Sequence, residues 1–303
     1  MRTLILLAAV ALLPSLAYGR PILYQATATT RSELEPVIDR FRQDIGAGGI
    51  NNGLTPGPLE SGWREVNWDN TGTLLRDGAG INIPGSGLLM FPIVGTRLDL
   101  GGSVDVAGLG DFYDIEQSYR LEFRPYSDPN QAAVVSQGSF DSGNLTALFY
   151  TPGTTYDHIR SISGFGVVFA DVDLEGAATL EFGVHGGFNT APFKAPAAPG
   201  NGNYSFLGVR FDAGEVFTIV GIKPGNRGLW PGVVDGMLDE FGRRIDLVSI
   251  DDVIFAEPKV IPEPSTLLTL GVGLLILGPT LARLTGLACC GNRCSSRFCQ
   301  KNR

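Results

Sequence analysis

Between residues 20 and 264 this chain has no cysteine, and only two histidines, His158 and His185, occur anywhere in its 303 residues. A body without thiols has no disulfide and no thiol nucleophile, so packing alone must hold it together. No Gly-x-Ser-x-Gly elbow and no His-Glu-x-x-His stand in the sequence, which argues against a histidine-dependent hydrolase. No Gly-x-Gly-x-x-Gly opens a helix after a strand, so nothing speaks for a nucleotide cofactor. Basic charge is scarce as well. Of the 23 Lys and Arg, one lies in the first 19 residues and five lie beyond Pro264, leaving 17 against all 31 Asp and Glu, a net charge near −14 for residues 20–264. A body so acidic lacks the basic face that DNA, RNA or an anionic membrane would need, so no nucleic-acid partner is expected.

What is present begins with a leader. Arg2 precedes a ten-residue apolar run, residues 4–13, too short to span a bilayer. Pro14 breaks it, and Ala17 and Gly19 supply the small residues a signal peptidase reads, so residues 1–19 are expected to be a signal peptide cleaved after Gly19. One amphipathic helix follows. Ser32 with Glu35 forms a capping box, and Leu34, Val37, Ile38, Phe41 and Ile45 recur at helical spacing up to Gly46 as C-cap, with Pro36 in the first turn. This helix is expected to plug one end of a β structure.

Residues 46–61 are dense in Gly, Asn and Pro and read as loop. Beyond them, short alternating runs are punctuated by Gly, Pro, Asn or Asp, the pattern of a β-sandwich. Candidate strands are residues 24–29, 63–68, 119–123, 147–150, 163–173, 178–184, 204–211, 217–223 and 245–255. The expected fold of residues 20–259 is therefore all-β, a jelly-roll-like β-sandwich carrying one N-terminal helix.

Three carboxylates, Asp171, Asp173 and Glu175, follow the apolar run 166–170 at every second residue. On a continuing strand they share one face. Their repulsion is relieved by solvent or by a hard cation, so calcium is a candidate cofactor. The closing run Ile250-Asp251-Asp252-Val253 is similar to the last strand of many carbohydrate-binding jelly-rolls, in which one Asp ligates a structural calcium, and that resemblance implies Asp252 as a further ligand. Strand alternation sends Asp251 and Asp252 to opposite faces. An EF-hand loop is excluded, because its twelfth position here is Phe182. The segment Asp-Val-Asp-Leu-Glu is also similar to the active-site strand of a retaining jelly-roll glycoside hydrolase family, whose Glu-x-Asp-x-Glu supplies nucleophile, helper and acid; that resemblance implies Asp171, Asp173 and Glu175 as an alternative catalytic set. Retaining chemistry needs carboxyls about 5.5 Å apart, whereas strand positions i and i+4 lie about 13 Å apart, so no catalytic residue is assigned. Of the three tryptophans, Trp63, Trp68 and Trp230, the loop residue Trp230 beside Pro231-Gly232 is the candidate ligand-binding ring and Trp68 is expected in the core.

The C-terminal segment is an address. Pro262-Glu263-Pro264 is followed by residues 266–282, which carry no charge, and by a tail with Arg283, Arg293, Arg297, Lys301 and Arg303 and no acid. The order of rigid polar motif, apolar segment and basic tail resembles the PEP-CTERM sorting signal of exosortase substrates. That resemblance implies an exosortase-like protease as partner and delivery to the cell envelope or beyond. Residues 260–288 are expected to contain a transmembrane helix and residues 289–303 to stay cytoplasmic. All four cysteines, Cys289, Cys290, Cys294 and Cys299, lie in that tail and lack a C-x2-C spacing. The body itself, on Trp68, Phe169-Ala170-Asp171-Val172-Asp173 and the closing run 251–258, resembles exported bacterial proteins that often carry this signal and have no assigned activity. The expectation is a non-enzymatic envelope or matrix protein, with exopolysaccharide and calcium as candidate ligands.

Overall fold

The computed structural model describes residues 20–66, 81–83, 88–91, 96–100, 103–107, 133–137, 145–154, 158–184, 186–212, 217–228 and 232–260, all within one compact unit that ends at Val260. The chain opens with β1 (Ile22–Ala28) and α1 (Arg31–Ile45), then β2 (Trp63–Val66), β3 (Ile81–Ile83), β4 (Leu88–Phe91), β5 (Thr96–Leu100), β6 (Ser103–Ala107) and β7 (Ala133–Gln137). After these come β8 (Leu145–Phe149), β9 (Gly164–Ala170), β10 (Thr179–Val184), β11 (Gly187–Phe188), β12 (Phe193–Lys194), β13 (Tyr204–Arg210), β14 (Ile219–Lys223) and β15 (Ser249–Ala256). The sequence pattern finds β1, β2, β8 to β10 and β13 to β15 near their observed bounds. It places no strand at β3 to β7, and the expected strand 119–123 lies outside the described residues.

Two antiparallel sheets result. The first runs β1-β13-β9-β15-β7-β6 with β2 also on β15, and the second runs β11-β10-β14-β8-β5-β4-β3 with β12 also on β10. Phe165, Val167 and Phe169 of β9 and Phe255 of β15 meet Phe149 of β8, Phe182 of β10 and Val220 of β14 in one buried cluster, so the sheets face each other across a shared core. Edge-on ring contacts, such as Phe149 to Phe165 at 5.9 Å and Phe182 to Phe217 at 5.4 Å, fill it.

The helix does not plug an end. Leu34, Ile38, Phe41 and Ile45 lie against Val168, Ala170, Tyr204, Phe206 and Ile254 on the outer face of the first sheet. That cover explains why every residue of β9 and β15 is buried, where a half-exposed sheet would alternate. Three strand glycines make room for it. Gly166 and Gly208 sit opposite each other on β9 and β13, and a Cβ on either would come within 2.8 Å of the Phe41 ring, while one on Gly164 would meet Ile45 at 2.5 Å. The N-terminus also differs from expectation. Thr30 is the N-cap and Glu33 accepts the backbone N–H groups of Thr29 and Thr30 at 3.0 and 3.2 Å, two residues earlier than the Ser32/Glu35 box. Pro36 consequently lies one full turn inside the helix.

Loop 46–61 is held by a buried ion pair. Arg64 on β2 and Glu257, just past β15, are both fully buried and bond through Nε to Oε2 at 2.6 Å and Nη2 to Oε1 at 3.0 Å. The remaining guanidinium protons go to the carbonyls of Gly53, Thr55 and Gly57, and Glu257 also accepts from Asn52 Nδ2 and the Leu59 N–H. A run that reads as irregular chain is therefore clamped at five points to the Arg64–Glu257 pair, three on Arg64 and two on Glu257. No helix of the described residues is long and apolar enough to cross a membrane, and the expected spanning segment lies outside them.

Candidate functional site

The carboxylates that sequence alternation placed on one face are separated by the structure. Strand β9 stops at Ala170, and Asp171 turns into the left-handed region at φ 67°, its N–H donating to Asn203 O at 2.9 Å. That turn breaks the two-residue period on which a common face depends. Asp171 is 1% exposed and lies within the fold, Asp173 joins a junction described below, and Glu175 points to solvent, its side chain 79% exposed and its Oε1 3.5 Å from Lys194 Nζ. The premise of a shared face for Asp171, Asp173 and Glu175 is thus replaced by three different environments. Asp251 and Asp252 do not alternate either. β15 carries a bulge between Ile250 and Val253, so both aspartates oppose Val168, and both are 1% exposed in an interior strand. Among the described residues, no three Asp, Glu, His or Cys side chains gather as a metal-binding group.

A polar junction at one end of the sandwich ties three loops together. Asp173 accepts from Gly200 N at 2.9 Å and from Arg244 Nη2 at 2.5 Å. Asp246, fully buried, accepts the N–H of Leu174 at 2.6 Å and of Asp173 at 3.3 Å. Asn226 bridges the two ends of the connection between β14 and β15, donating to Arg244 O and accepting from Asp246 N. Asp235 takes the Leu247 N–H at 2.9 Å. Gly225, at φ 74°, is required here, because a Cβ would sit 2.5 Å from Asp246 O.

Burial pushes Asp246 up to about 7; the N–H bonds from Leu174 and Asp173 work against this, and the neighbouring charges of Asp235 and Asp173 add to it. Asp235 is raised too, chiefly by burial. A carboxyl whose folded value lies above its unfolded one stabilises the native state fully at pH below its unfolded value near 4 and loses that contribution as pH rises toward 7. Between pH 5 and pH 8 the loss is on the order of 2–3 kcal/mol. We expect the thermal midpoint to fall over that range and Asp246→Asn to flatten the fall. A variant with the wild-type slope would remove Asp246 as its source.

The second sheet presents a different surface. Along its outer face, Glu181 of β10, Gly221 of β14 and Thr146 of β8 stand in register, with Thr179 and Lys223 paired in the next row. After β10 the chain turns at Gly186, and Gly187–Phe188 folds back over Gly183, where a Cβ would lie 2.1 Å from Gly187 O. The Phe188 ring comes to rest over Gly221, and a Cβ there would approach it to 2.9 Å. Glu181, Thr146, Thr179, Lys223, Phe188 and Pro192 border a shallow pocket of about 160 Å³. Sequence reasoning did not select Phe188; the available signal was an aromatic directly after a Gly-Gly turn, beside strands that show polar residues on alternate positions. Trp68, Trp230, His185 and Pro262-Glu263-Pro264 lie outside the described residues.

The chain matches no protein-family model, no curated protein and no solved structure.

Proposed function

We propose that this chain is a non-enzymatic protein of the cell envelope or extracellular matrix, exported by its leader and handed over through the PEP-CTERM-like segment 260–303. The observation that carries the reading is where the body's last ties fall. Glu257 is clamped by Arg64, and Lys259 exchanges backbone hydrogen bonds with Ser161 at 2.8 and 2.9 Å. Pro262-Glu263-Pro264 begins three residues later. In sequence, then, the two prolines come directly after the folded unit and directly before the apolar segment, and X-Pro sequences favour the extended chain that a membrane protease can grip. The jelly-roll assignment belongs to the same proposal; the longer strands from β8 to β15 cross between the sheets at each step, which supports it.

The roles that the carboxylates play also speak against the alternative catalytic set. Asp173 and Asp246 are spent on backbone N–H groups and Arg244, and Glu175 is a solvated surface group.

The test is localisation of the full chain carrying a C-terminal epitope, in a bacterium with an exosortase. We expect the epitope to be lost from the mature envelope form, and Glu263→Ala with Pro264→Ala to retain it in the membrane fraction. Equal processing of both proteins would overturn the sorting part of the proposal.

A further inference from the structure

We propose that the outer face of the second sheet, around Phe188, is a binding site for one hexopyranose ring of a neutral polysaccharide. This inference deepens the matrix reading above by naming the site and the class of ligand.

The argument starts from an aromatic ring that the fold holds outside the core. Phe188 is 43% exposed, yet it is not loose. Gly187 and Phe188 pair with Gly183 and Val184, and the next two residues donate backbone N–H groups to Phe182 O at 2.8 and 3.2 Å. Thr190 Oγ1 also accepts the Phe182 N–H at 2.9 Å. Gly183 leaves room for the Gly187–Phe188 backbone to lie close on β10, and Gly221 leaves room for the ring itself. The far end of the ring thus rests over Gly221 on a segment pinned by backbone hydrogen bonds, and the exposed part is offered to solvent with little backbone freedom left to lose on binding.

The border supplies what a sugar needs. A pyranose has an apolar C–H face and a rim of hydroxyls that both donate and accept. Phe188 and Pro192 match the first; Glu181, Lys223, Thr146 and Thr179 provide a carboxylate, an ammonium and two hydroxyls for the second. Glu181 and Thr146 flank Gly221 on neighbouring strands, so they stand about 10 Å apart across the ring, two strand spacings. A volume of about 160 Å³ is below the roughly 300–1,000 Å³ of sites for whole small molecules, which suits one ring of a chain that continues across the open sheet. The charge of the body, near −14, disfavours a polyanionic glycan, and Glu181 would face its carboxylates directly.

The test uses the full chain in mild detergent and affinity electrophoresis through gels holding a soluble neutral glucan, a neutral galactan or a polyuronate. We expect retardation by a neutral polymer. Phe188→Ala should weaken it at least about tenfold, the loss of one stacking contact in a weak site. Gly221→Ala should do the same by displacing the ring, at an unchanged thermal midpoint, because the atom it meets is the far end of a side chain. Retardation by none of the three polymers, by the polyuronate alone, or equally in wild type and both variants would overturn the site. Failure here with normal envelope sorting rejects this inference only, whereas failed sorting with intact binding rejects the address.

Discussion

Arg64→Met is expected to destabilise the protein by about 3–5 kcal/mol, because it leaves Glu257 ionised and buried without the guanidinium that neutralises it. The geometry explains why the loss is large. All five guanidinium protons have acceptors, two on Glu257 and the others on the carbonyls of Gly53, Thr55 and Gly57, in a site with no exposed surface on either partner. Removing the cation therefore strands a charge and three loop carbonyls together. A urea midpoint equal to that of the wild type would show that the pair contributes nothing. The double variant Arg64→Met, Glu257→Leu separates the two effects. It removes the stranded charge but not the carbonyls, so it should recover only part of the loss. Loop 46–61 should become the first site of proteolytic nicking in both proteins, since its anchor to the last strand is gone.

Phe41→Ala should cost a similar amount, about 3–5 kcal/mol, through the cavity that it opens under the helix. Phe41 is fully buried, with Tyr24 and Phe206 edge-on to it at 5.2 and 5.5 Å, and it occupies the slot left by Gly166 and Gly208. The converse change tests the same fit from below. Gly166→Ala would gain strand propensity at an ordinary site, yet here the added Cβ meets Phe41 at 2.7 Å and Phe206 at 2.9 Å. It is expected to cost about 1–3 kcal/mol. Combining Gly166→Ala with Phe41→Leu should cost less than the two single changes added together, because the smaller side chain yields the space the methyl needs. Strict additivity in denaturant unfolding would mean that the two positions do not share a contact.

Much of the architecture is legible in the sequence. The 3.6-residue recurrence of Leu34, Ile38, Phe41 and Ile45 marks a helix because that spacing makes one apolar stripe, and the short apolar runs at β8 to β10 and β13 to β15 mark strands. The partner of the stripe was not legible. Gly164, Gly166 and Gly208 become a slot only when β9 and β13 align, and strand register is a property of two segments about forty residues apart. The shared face of the three carboxylates is broken for a related reason. Alternation assigns Asp171, Asp173 and Glu175 one face only while the strand lasts, and the left-handed turn at Asp171 ends it. The bulge that buries both Asp251 and Asp252 is invisible in β15 alone, since an extra residue exists only relative to the strand opposite.

What the sequence determined by itself is what depends on composition and order. It sets an acidic body without thiols, a helix and strands by period, and an apolar and basic segment placed after Pro262-Glu263-Pro264. What only the tertiary structure decided depends on segments distant in the chain meeting at one point. Arg64 finds Glu257 across 193 residues, Asp246 is buried against the loop after β9, and Phe188 is laid over Gly221. Local patterns follow from the geometry of a single backbone. Ion pairs, raised pKa values and exposed rings follow from which surfaces exclude water, and that is settled only when the sheets close on each other.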